Sequence, residues 1–135
     1  MSDHNIEQID QILLSFVRLD EIKIQELLSY DPSRELLTQL IQIFDNGTKE
    51  ILQQVKSEFE INNLADVSKL THRLRSTSLN LGATRLSEIL KRIEYMALEA
   101  DVRKSEIDFL IKEAEKESQL ASKDLHAQLE KSKSL

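Results

Sequence analysis

Between Thr71 and Gly82 the chain reads THRLRSTSLNLG, with a histidine, two arginines and several hydroxyl residues where the flanking segments carry acids and leucines. A neutral imidazole is both a nucleophile and a proton carrier near neutral pH. Arg75 follows His72 by one helical turn, where a guanidinium is placed to steady an anionic group, such as a phosphoryl, carried on the ring. Glu94 lies twelve residues after Gly82, and His72 lies ten before it. In an antiparallel hairpin turning at that glycine, the two side chains stand at nearly the same height. A carboxylate there would accept a hydrogen bond from one ring nitrogen, fix the tautomer and leave the other nitrogen free to attack. The rotation of the second helix is open at this level, and a plain surface acid is the alternative reading of Glu94.

A helix turns by about 100° per residue. With Leu70 at zero, Val67 and Leu74 fall within about 60° and His72 lies at about 200°, away from the apolar stripe. Ala65, Ser68, Lys69, Arg75, Ser76 and Leu79 fall on the same outward face. Small residues one turn away on either side of His72 leave room for another molecule to approach. Leu79 is apolar there, as a docking contact would be. The competing reading is a solvated surface histidine. From Lys69 to Arg92 the cations Lys69, Arg73, Arg75, Arg85, Lys91 and Arg92 face a single acid, Glu88. Such an island in a chain of net charge −6 suits an acidic partner or a phosphate, or is ordinary surface charge.

The elements that must position these residues are helical. The chain has 135 residues, enough for one modest core, and holds two glycines, one proline and four phenylalanines, which favours helices with an aliphatic interior. The absence of cysteine excludes disulfides, zinc–thiolate centres and thiol nucleophiles. The net negative charge argues against general nucleic-acid binding. No apolar run is long enough to span a bilayer, and MSDHNIEQID lacks the regions of a signal peptide, so a soluble, cytoplasmic protein is expected.

Ile6, Ile9, Ile12, Leu13, Phe16 and Val17 predict a first amphipathic helix, and Ile24, Leu27 and Leu28 a shorter one. Asp31-Pro32 reads as an N-cap with proline at the first helical position. It opens a long helix striped by Leu37, Leu40, Ile41, Phe44, Ile51, Val55 and Phe59, with Gly47 as a candidate bend. Asn63 and Asp66 form a capping box for a helix over residues 64–80 with Leu64, Val67, Leu70 and Leu74 inward. Gly82 ends it in the left-handed position. Leu86, Ile89, Leu90, Ile93 and Leu98, with Ala97 beside it, mark its partner. Ser105 and Asp108 read as a further capping box, opening a last helix with Ile107, Leu110, Ile111, Ala114, Ala121, Leu125 and Leu129. Short connections imply an all-α, up-down antiparallel bundle of four helices with an extra N-terminal helix. The expected division is an extension over 1–19, a bundle over 20–130 and a frayed tail over 131–135.

The stretch HRLRSTSLNLGATRLSEILKRIE resembles the histidine-containing phosphotransfer (HPt) domain, whose usual pattern is H-x-L-K-G, a small-residue stretch, L-G-A-x-x-L and a helix reaching L-E. The match runs through His72, Leu74, Leu81-Gly82-Ala83 and Leu86 to Ile93-Glu94. Upstream, DPSRELLTQLIQIFDNGTKEILQQV resembles the family's long second helix, so the resemblance covers about residues 20–130. It implies that His72 is the phosphoacceptor, that Arg75 replaces the usual lysine and Ser76 the usual glycine, and that Glu94 is the partner of the ring nitrogen. The lysine-to-arginine change keeps charge and alters geometry. Implied partners are response-regulator receiver domains, which bring the acceptor aspartate and Mg²⁺, and an upstream histidine kinase. Ala65, Ser68, Lys69, Ser76 and Leu79 would form the docking face.

Two rivals remain: a phosphoacceptor helix of a sensor kinase, and a non-catalytic helical interaction module of the same shape. The first uses a box reading roughly H-E-L-R-T-P, whereas HRLRST has arginine in place of the acid and lacks the proline. The second leaves the coincidence of His72, Gly82 and Glu94 unexplained. An enzyme with its own small-molecule substrate ranks third. His4 and His126 are expected to be surface residues. No metal ligand set and no cofactor of its own are expected. Without a Gly-rich phosphate loop, no ATP site is expected either, and the protein is expected to be a monomer.

Overall fold

The apolar stripes become six helices among the described residues of the computed structural model, which describes residues 3–134 and their side chains from Ile6 onward. They are α1 (Asp3–Leu14), α2 (Glu21–Tyr30), α3 (Glu35–Glu60), α4 (Leu64–Asn80), α5 (Thr84–Met96) and α6 (Lys104–Lys133). In the bundle α4 packs against α3 and α5, and α6 closes the ring by packing against both of those. With short turns between α3, α4 and α5, this is an up-down four-helix bundle. The N-terminal pieces lie outside it, α2 on α3 and α1 on α5. Phe44, Leu74, Leu86, Leu90, Ile93 and Leu110 fill the mainly aliphatic centre, each contributing about 1.5–3 kcal/mol by leaving water.

Local chemistry sets the boundaries. Asn62 takes the left-handed conformation (φ 62°), which asparagine tolerates. Asn63 then caps α4, its Oδ1 accepting from the Asp66 N–H at 3.4 Å while its Nδ2 donates to the Asp66 carboxylate at 2.9 Å. At the other end Gly82 adopts φ 74°. The Ala83 N–H reaches back to the Ser78 carbonyl and the Gly82 N–H to that of Leu79, a Schellman closure.

Several expectations at element edges are corrected. α1 stops at Leu14, so Phe16 and Val17 lie beyond it; Leu13 is buried, but Ile12 and Val17 are exposed. Pro32 belongs to a turn, and α3 starts at Glu35. Asp31 still serves that helix, because its carboxylate accepts from the Leu36 N–H and from Ser33; the Ser33 hydrogen bond in particular holds its pKa below the usual carboxylate range. Helix α3 runs unbroken through Gly47. Leu98 follows the end of α5 and is exposed, leaving Met96 and Ala97 to bury. The Ser105–Asp108 box does not form: α6 already begins at Lys104, and Arg103 pairs with Glu99 and with the buried Glu106. The same helix continues to Lys133, so the expected tail is helical over most of its length. His4 falls within α1, but its side chain lies outside the described residues.

Two ties bind the segment between α1 and α2 to the bundle. The Asp20 N–H donates to the Gly82 carbonyl at 2.7 Å. The buried Glu117 on α6 accepts from Arg18 Nε at 2.9 Å and lies 3.8 Å from Arg85, whose Nε donates to the Phe16 carbonyl. A Cβ at Gly82 would stand 3.0 Å from the Asp20 carbonyl oxygen and 3.1 Å from the Lys23 Cβ. Gly82→Ala therefore meets both left-handed strain and a crowded neighbour. It is expected to cost about 1–3 kcal/mol, read as a lower midpoint in chemical denaturation. An unchanged midpoint would mean that the linker yields freely.

Candidate functional site

His72 sits midway along α4, and α5 runs antiparallel beside it. The hairpin turns at Gly82, and its register is locked where the Ser68 hydroxyl donates to the Glu94 carbonyl at 3.0 Å. That register places the Glu94 side chain beside the imidazole, its Oε2 3.1 Å from His72 Nδ1. Glu94 is buried, its side chain only 12% exposed, whereas the His72 side chain is 57% exposed. Arg75 Nη2 lies 3.4 Å from Glu94 Oε1 and 3.3 Å from His72 Nδ1. Its Cζ lies 5.8 Å from the centroid of the Tyr95 ring.

The carboxylate beside Nδ1 selects between the two tautomers of a neutral ring. An unprotonated Nδ1 would point its lone pair at a carboxylate oxygen, so Nδ1–H donates to Glu94. The approach of Arg75 to Nδ1 is then proximity, and its electrostatic partner is Oε1, which has no hydrogen-bond donor of good geometry. With Nδ1 committed, Nε2 carries the lone pair of the neutral ring, on a side chain more than half exposed. A tautomer fixed by a buried carboxylate is the arrangement that nucleophilic imidazole chemistry needs.

The docking residues expected from the sequence separate. Ala65, Lys69, Ser76 and Leu79 are exposed on α4, and the Ser76 hydroxyl donates to the His72 carbonyl at 3.4 Å. Ser68 is buried and faces α5, so it sets register and is not available to a docking partner. The buried arc of α4 centres on Thr71 and Ser78, whose hydroxyls donate to carbonyls within their own helix. Leu70 is only half-buried, at the edge of that arc. Small, internally satisfied residues let α5 approach closely, which a search for leucines passes over.

The basic island also disperses. Arg85 turns toward Phe16 and Glu117, and Arg92 pairs with Glu88. Lys69 and Arg73 line a groove between α3 and α4 together with Glu50, Glu58 and Asp66. Of the island's cations, Arg75 is the one brought into contact with the ring. His126, expected to be a surface residue, has an exposed side chain and a carboxylate partner of its own. Its Nε2 lies 2.8 Å from Asp45 Oδ2, and Ser122 donates to Oδ1 of the same carboxylate. Asp45 lies 81 positions away in sequence, so no local pattern signals the pair. Its open nitrogen is Nδ1, the one crowded by its own main chain. Tyr95 was likewise not singled out from the sequence; its place next to Glu94 and one turn before Leu98 was the available signal.

No helix among the described residues is long and apolar enough to cross a membrane. No curated protein matches the chain. The model of the Hpt domain family matches residues 39–132, more than half of the chain, from the first turns of α3 through almost all of α6. His72, Arg75 and Glu94 lie inside that span, and α1 and α2 lie outside it. Hpt domains are phosphotransfer modules rather than kinases; they carry phosphoryl groups on histidine between histidine kinases and response regulators. With its all-helical bundle and a family match over the greater part of its own length, the chain belongs to the Hpt domain family.

Proposed function

We propose that this protein is a phosphorelay intermediate in which His72 takes a phosphoryl group from the aspartyl phosphate of a receiver domain, or from an upstream histidine kinase, and delivers it to another receiver. The observation that carries the reading is the exposed imidazole bonded through Nδ1 to the buried Glu94. The Nε2 lone pair attacks phosphorus, the bond to the aspartyl oxygen breaks, and the carboxylate leaves with the electron pair; the return step is the reverse. Glu94 holds the ring, and Arg75 steadies charge on the transferring group. Transfer of this kind depends on positioning and charge stabilisation more than on covalent machinery. The receiver supplies the aspartate and Mg²⁺, and this chain needs no cofactor of its own. Ala65, Lys69, Ser76 and Leu79 form the surface on which the receiver settles. The setting is the cytoplasm, and the working species is a monomer without nucleic-acid or membrane partners.

The reading is tested by single-turnover transfer from purified phosphorylated receivers. It also requires a negative result. Incubated with ATP and Mg²⁺ alone, the protein is expected to stay unlabelled, since no Gly-rich loop is present to cradle a triphosphate. Self-labelling of the pure protein would return the sensor-kinase reading to first place.

A further inference from the structure

Arg75 owes its position to two neighbours on α5. One is Glu94, whose Oε1 is 3.4 Å away. The other is Tyr95, the next residue, whose half-exposed ring lies 5.8 Å from the guanidinium carbon. A guanidinium within about 6 Å of a ring centroid is attracted to the ring face, and an arginine side chain otherwise has many rotamers to choose from. The Arg75 side chain is only 18% exposed although it carries a charge on the outer half of α4. The carboxylate and the ring both lie against it, beside the His72 imidazole. Without Tyr95, Glu94 alone would hold the group through a contact lacking good hydrogen-bond geometry, and the guanidinium would be free to swing into solvent.

We propose that Tyr95 is a positioning residue, whose ring holds the Arg75 guanidinium beside the His72 imidazole so that it is already in place when the phosphoryl group arrives. The role rests on His72 being the acceptor and on Arg75 acting at the transferring group. Phenylalanine in place of Tyr95 keeps the platform, and leucine removes it while keeping bulk and a helical backbone.

A small phosphodonor separates this role from docking, because Tyr95 is exposed enough to touch a receiver. The probe is phosphoramidate: the lone pair of His72 Nε2 forms the new phosphorus–nitrogen bond as the donor's phosphorus–nitrogen bond breaks and ammonia leaves with the electron pair. Tyr95→Leu is expected to slow labelling of His72 by about two- to fivefold, the range of an exposed cation–π contact. Tyr95→Phe is expected to retain the wild-type rate. In an Arg75→Ala background, Tyr95→Leu should cause no further loss. Retention of the rate in Tyr95→Phe and the absence of a further loss in the Arg75→Ala background are the signatures that a purely structural role would not give. Unlabelled wild-type protein would overturn the acceptor assignment and the role of Tyr95 with it. Labelled wild type with an unchanged Tyr95→Leu rate, or an equal loss with and without Arg75, would overturn the role of Tyr95 alone.

Discussion

His72→Gln abolishes phosphorylation and leaves the bundle standing: that is the largest effect expected of any single change in this chain. Phosphate on an imidazole nitrogen is lost in acid and survives base, so the wild-type label should show that pattern and map to His72. The glutamine side chain has no nucleophilic nitrogen. Because the His72 side chain is more than half exposed, its replacement removes little packing, and stability should stay within about 0.5 kcal/mol of wild type. Circular dichroism and thermal melting check the second half. Label persisting in the variant would move the chemistry elsewhere, and His126, with its Asp45 partner, would be the first place to look.

The second large effect is expected at Arg75. Its alanine variant should transfer about 10- to 100-fold more slowly, somewhat less than the loss of a dedicated oxyanion donor, because the receiver carries part of the developing charge. Arg75→Lys restores the family's usual residue and should keep most of the rate, since a single ammonium supplies charge without the planar fork. Glu94→Ala tests the other neighbour of the ring. Without that carboxylate nothing holds Nδ1–H, and both tautomers and several ring rotations become available; a loss of about tenfold is expected, as for other carboxylates that orient a histidine. Single-turnover transfer from a phosphorylated receiver measures both. Wild-type rates in both alanine variants would mean that Arg75 and Glu94 take no part in the transfer.

Much of this site was legible because its geometry is local. Asn63 and Gly82 announce both ends of α4 through side-chain and backbone conformations that few other residues accept, so the heights of His72 and Glu94 followed by counting. What counting did not supply was the rotation of α5, and with it the burial of Glu94. The face of α4 was measured from Leu70, a half-buried edge residue, so Ser68 was assigned outward although it faces α5. Serine and threonine conceal the true centre of that helix: buried and bonded to their own backbone, they look polar in sequence and behave as small core residues in the fold. The start of α6 was misplaced for a related reason. Ser105–Asp108 has the form of a capping box, but the helix is set by the contacts of Arg103 and Glu106, which depend on where α5 ends. The Asp45–His126 pair joins two helices far apart in sequence and leaves no periodic trace.

The ties made by Asp20 and Arg18 bear on where this protein begins as a physical object. The family pattern starts within α3, yet Glu117 on α6 draws its closest cation from Arg18, and the turn at Gly82 receives a main-chain donor from Asp20. Leu13 and Ile24 also belong to the buried interior. A cut at the first matched residue would therefore strip a buried carboxylate of its nearest counter-charge and open the floor beneath the hairpin that carries His72. The packed interior reaches beyond the span that the family pattern matches. The N-terminal segment lies as a splint against the turn of the hairpin that carries His72 and against α6, outside the reach of the family pattern.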